Sequence, residues 1–186
     1  MEFLTLDYQP TLILKGWKMK KIIALLSWIM ALWMCKVFLF SLPYKFSGHP
    51  DTQHIFGTIG AWMSGILGDD IGILFARFGA IGVGSVELIT SIILLLPAIL
   101  WILSKMGVTE SESKRAKFHR VGGAMAAVVM AGAVFFHVFT PLGIEVLHDG
   151  KSDGGSLFYA AVSILISGAI MFVINSLQFD TAAGGE

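Results

Sequence analysis

The chain has 186 residues, of which 55% are hydrophobic and 14% charged; its mean hydropathy is +0.77 and its formal net charge is zero. Soluble domains carry about a quarter charged residues, so this composition excludes an ordinary water-facing surface, and the balanced charge excludes a general field for nucleic acid. The single cysteine, Cys35, excludes an internal disulfide, a CxxC redox pair and a cysteine-based zinc site.

Residues 1–18 show little helical periodicity and contain Pro10, and they are expected to form a weakly ordered extension. Met19 then opens MKKIIALLSWIM, a typical start for a bacterial membrane protein and a candidate first residue. Lys20 and Lys21 before an apolar run also suit a signal peptide. No small-residue cleavage site follows, however, so a retained helix is expected. The first span is Ile22–Leu42, bounded by Pro43 and interrupted by Lys36; Cys35 within it reads as a buried, inert thiol.

The segment 43–70 is too polar and glycine-rich to span. Within it, Thr52–Leu67 places Ile55, Ile59, Trp62, Met63 and Ile66 on one face, the pattern of an amphipathic helix lying in the interface. The apolar run Ile71–Leu103 exceeds the roughly 20 residues that a bilayer requires. Its membrane portion is placed at Phe78–Trp101, with Ile71–Arg77 as an interfacial lead-in. The third span is Val121–Thr140 and the fourth Leu157–Ser176, with a short tail at 181–186. The expected fold is therefore all-α: one transmembrane four-helix domain over residues 19–180, with an interfacial amphipathic segment between its first two helices.

Orientation follows from lysine and arginine. Lys15, Lys18, Lys20, Lys21, Lys105, Lys114, Arg115, Lys117 and Arg120 fall on one side; Lys45, Arg77 and Lys151 fall on the other. Nine against three predicts cytoplasmic termini, with segments 43–70 and 141–156 outside. Small residues in GAIGVGS of span two, and Gly122, Gly123 and Gly132 of span three, suit close packing within the monomer, or alternatively a dimer interface.

Ionisable groups inside a membrane are costly and mark either function or a structural pair. Lys36, Glu87 and His137, one on each of the first three spans, are the candidates for an intramembrane polar pocket. An ion pair between Lys36 and Glu87, or outward snorkelling of Lys36, is the structural alternative. His49, His54, Arg77 and Glu145 are candidates for the pocket mouth. Outer histidines and carboxylates match no compact metal pattern, and a solvated surface is expected there. Haem b would need a second histidine at matching depth on a facing span. His119, at the cytoplasmic end, does not supply it, so haem is not expected.

Several landmarks together resemble the DoxX and DoxX-like family of small four-helix membrane proteins, over about residues 20–176. They are Lys36 late in span one with the exit PYKF; Gly82, Glu87-Leu88 and Leu94-Leu95-Leu96 in span two; and His137 before FTPLG. Some members of that family are membrane subunits of quinone-linked oxidoreductases, including thiosulfate:quinone oxidoreductase. The resemblance implies residence in a bacterial inner membrane and a link to quinone redox or sulfur metabolism. It does not imply catalysis, and the chain has no flavin or haem motif. The leading expectation is an accessory or quinone-facing subunit beside membrane redox partners, with the polar pocket as its site. The alternatives are a small transporter and a structural membrane partner.

Overall fold

The computed structural model describes residues 10–107 and 115–183, with side chains at 19–107 and 115–177. Five helices carry the described chain: α1 (Pro10–Ser47), α2 (Pro50–Leu67), α3 (Asp69–Lys105), α4 (Arg115–Phe139) and α5 (Ser156–Ala183). A two-stranded hairpin, β1 (Leu147–His148) and β2 (Lys151–Ser152), lies between α4 and α5. Segments Met19–Ser47, Asp69–Lys105, Arg115–Phe139 and Ser156–Leu177 are each long and apolar enough to cross a bilayer. The protein is an all-α, multi-pass membrane bundle, with α2 as the helix between its first two spans.

Two boundaries differ from expectation. Helix α1 already runs through residues 10–18, beginning at Pro10; proline is tolerated there because the first-turn N–H groups have no intrahelical acceptor. It also continues past Pro43. Within a bundle, neighbouring groups can support a turn that has lost one backbone bond, and Ser41 and Lys45 tether this turn to α3. Helix α3 likewise passes through Pro97. At about 1.5 Å per residue, the 37 residues of α3 reach about 55 Å, well beyond a hydrocarbon core of about 30 Å. Its first turns, the expected lead-in, belong to the same helix and pack on α2.

Gly68, at φ 93°, joins α2 to α3 as a one-residue hinge. The two helices then lie so close that a Cβ on Gly60 would sit 2.7 Å from the Gly72 carbonyl oxygen. A core built on Met34, Phe38, Leu94, Met130, Ile164 and Met171 joins α1, α3, α4 and α5. A smaller cluster of Ile59, Leu142 and Val146 seats α2 on the α4–α5 connection, so the segment expected in the interface does pack on one end of the bundle. The outer surface is apolar: Phe40 is 72% and Val128 73% exposed, as lipid contact requires.

The β1–β2 turn uses Asp149 (φ 50°) and Gly150 (φ 72°), the positive-φ pair of a tight hairpin. Asp153 then ties the hairpin to α5. Its Oδ1 accepts from the amides of Val146 at 2.8 Å and Gly155 at 3.0 Å, and its Oδ2 from Leu157 N at 3.0 Å. Partial burial pushes the Asp153 carboxyl up, but these amides and Ser156 outweigh it and hold it below the usual value of 3.8. A depressed carboxylate stabilises the fold above its unfolded value and loses that contribution as pH falls through its folded value. Asp153→Ala is expected to cost about 1 kcal/mol, as loss of a helix cap does. Amide exchange at Val146 and Leu157 checks this: it accelerates in the variant at neutral pH, and in the parent protein only below the ordinary carboxylate range.

Candidate functional site

Glu87 is 2% exposed, on the inward face of α3. The group that meets it is Lys45, whose Nζ lies 2.5 Å from Glu87 Oε2. Ser41, one turn earlier on α1, lies 2.9 Å from the same oxygen and also receives the Lys45 ammonium at 2.8 Å. Ser41 has one proton and two acceptors in range, the Glu87 carboxylate and the Phe38 carbonyl at 2.7 Å. The ammonium therefore carries most of the neutralisation, and the hydroxyl orients the pair.

The expected partner, Lys36, does not reach Glu87. Its side chain is exposed on the outside of α1, with Nζ 5.7 Å from the centre of the Trp33 ring. Lys36 and Lys45 are nine residues apart, about two and a half helical turns, so they point to opposite faces. The inward stripe of α1 runs Met34, Phe38, Ser41, Lys45 at spacings of four, three and four. Lys45 follows Pro43, which reads as the end of the span, and for that reason sequence reasoning passed over it.

His137 does not join the pair. It is 7% exposed, its Nδ1 lies 2.7 Å from the Gly143 carbonyl oxygen, and its ring meets Phe158 edge-on. A carbonyl only accepts, so Nδ1 carries a proton and His137 fastens the α4–α5 connection to its own helix. The three-residue convergence of Lys36, Glu87 and His137 is therefore replaced by Ser41, Lys45 and Glu87.

The mouth candidates divide. Arg77 lies over the Phe78 ring at 5.2 Å and lines a cleft of 280 Å³ with Lys45, Phe46, Thr52, Gln53 and Ile81. Glu145 instead accepts from Ser152 at 2.9 Å on β2. His49 and His54 gather around Asp51 and His148: His148 Nδ1 lies 2.7 Å from Asp51, His49 3.4 Å from it, and the His54 and His148 rings stack at 4.5 Å. The hydrogen bond from His148 pulls the Asp51 carboxyl below its usual value, with the histidine charges adding to it. Among the described residues no group of three such side chains is arranged to hold a metal ion.

A second polar layer lies at the other end of the bundle. Asn175 donates to Ser27 at 3.0 Å and accepts from Arg115 at 3.0 Å, while His119 is fully buried edge-on against Trp28 at 4.6 Å. His119, expected at a cytoplasmic helix end, thus lies inside the packed bundle. Sequence reasoning missed Ser27 and Asn175, whose neutral side chains do not interrupt an apolar run.

In comparisons with known proteins, no family model, curated protein or solved structure matches the chain.

Proposed function

We propose that this protein is a non-catalytic, accessory membrane subunit that holds an amphiphilic ligand in the cleft above Lys45 and Glu87. The observation that supports it most is that Lys45, held by the buried carboxylate of Glu87, lines an open cleft of mixed polar and apolar lining. Phe46, Phe56 and Ile81 supply its apolar part, and Lys45 and Arg77 supply hydrogen-bond donors. A buried pair whose only role is packing has no need of such an opening. The DoxX-like landmarks add a context: a bacterial inner-membrane redox system, with a quinone among the amphiphiles that the cleft would take. The excess of positive residues before the first span and between the second and third spans supports an orientation with both termini cytoplasmic and the cleft on the outer face.

Ser47 lines the cleft and is exposed, whereas the native thiol Cys35 is buried. In a Ser47→Cys variant, a membrane-impermeant maleimide should label the chain from the outer face of sealed vesicles. In detergent, added phosphatidylglycerol or decylubiquinone should slow that labelling. Labelling from the cytoplasmic face alone contradicts the orientation, and an unchanged rate with both amphiphiles contradicts the ligand site.

A further inference from the structure

We infer that the occupant of this cleft is the phosphodiester head of a phospholipid carrying one net negative charge; the inference rests on the cleft being a ligand site, and it names the ligand class. The cleft lining contains two cations, Lys45 and Arg77, and no carboxylate. Glu87, behind Lys45, cancels the lysine charge. Among the described residues Arg77 has no such counter-ion: its guanidinium lies over the Phe78 ring at 5.2 Å, and its side chain lines the cleft. Asp51, adjacent to the lining residue Thr52, is turned away onto His148 and His49. The cleft therefore holds one uncompensated positive charge. A planar guanidinium fork with an ammonium beside it is the donor set that phosphate oxygens take.

The surroundings favour a lipid over a soluble phosphate. The cleft opens at the last turn of α1, which ends at Ser47, and so at the end of a membrane span, where head groups lie. Beside the cleft the surface is apolar on α1 and α3, where Phe40 and Phe78 are exposed next to the lining residues Phe46 and Ile81. Acyl chains lie naturally along such a face. A neutral quinone ring would use the donors but leave the Arg77 charge unanswered.

The test is native mass spectrometry of the full chain in mild detergent. The probes are dioleoyl-phosphatidylglycerol, dioleoyl-phosphatidylcholine, sn-glycerol 3-phosphate and decylubiquinone. Phosphatidylglycerol should be retained about tenfold better than phosphatidylcholine, which has the same phosphodiester but brings a choline cation up to the positive charge of the cleft. Arg77→Gln should erase that preference and Arg77→Lys should keep most of it. Arg77 is exposed, so neither change threatens the fold. Equal retention of the two lipids overturns the inference, and so does a preference that survives Arg77→Gln. Glycerol phosphate bound as well as the lipid would make the site one for soluble anions and overturn it too. Binding of decylubiquinone alone overturns the lipid assignment while leaving the ligand-site reading intact; binding of no probe overturns both.

Discussion

Lys45→Met is expected to be among the most damaging single substitutions in the protein, costing about 3–5 kcal/mol, because it leaves a buried carboxylate without its cation. Glu87 has 3% of its side chain exposed and Lys45 has 16%. The two partners are therefore not equivalent. Glu87→Leu strands an ammonium on a flexible stem beside an open cleft, from which it can reach water or head groups. Lys45→Met strands a short carboxylate behind Ser41, with one hydroxyl left to solvate it. The unfolding midpoint in a detergent titration should drop further for Lys45→Met than for Glu87→Leu. Equal, small losses would mean that the pair is solvated and contributes little.

Gly168→Leu should be comparably severe for a different reason. A Cβ on Gly168 would lie 2.6 Å from the Gly123 carbonyl oxygen and 2.9 Å from the Ala127 amide nitrogen. Both are backbone atoms of α4, which a rotamer change cannot move. The α4–α5 pair must separate, giving up contacts around Met171 and Ile164. Overpacking costs about 1–3 kcal/mol, and with the lost contacts about 3 kcal/mol or more is expected here. Gly132→Ala is the matched control: nothing lies within 4 Å of its added Cβ, and alanine is the better helix former. Near-ultraviolet circular dichroism during thermal unfolding separates the two. A Gly168→Leu midpoint as high as that of Gly132→Ala would show that α4 and α5 are not in backbone contact.

The four spans were legible because each is a long apolar run, and lipid selects for little else. Glu87 was legible for the complementary reason, as a charge interrupting such a run. The partner of Glu87 was not. Finding it requires the angular phase of α1 through Pro43, and proline, a stop in most helices, is here held in place by tertiary contacts. Tracing the stripe Met34, Phe38, Ser41 onward by the i, i+3, i+4 rule reaches Lys45 and excludes Lys36. The buried histidine His137 stood out among phenylalanines, but its acceptor is a backbone carbonyl at Gly143, beyond the end of the helix. No side-chain pattern encodes such a bond. The β1–β2 hairpin had a readable signal, the Asp149-Gly150 pair, inside a segment otherwise read as loop.

The proposed site depends most on Lys45, and not Lys36, being the residue that pairs with Glu87 at the cleft. Two double-mutant cycles on unfolding free energy decide it, one with Lys45→Met and Glu87→Leu, the other with Lys36→Met and Glu87→Leu. The first should show coupling of at least about 1 kcal/mol, with the double variant more stable than Lys45→Met alone; the second should be additive within about 0.5 kcal/mol. Additivity in the Lys45 cycle, or coupling in the Lys36 cycle, would contradict the arrangement on which the proposed site is built.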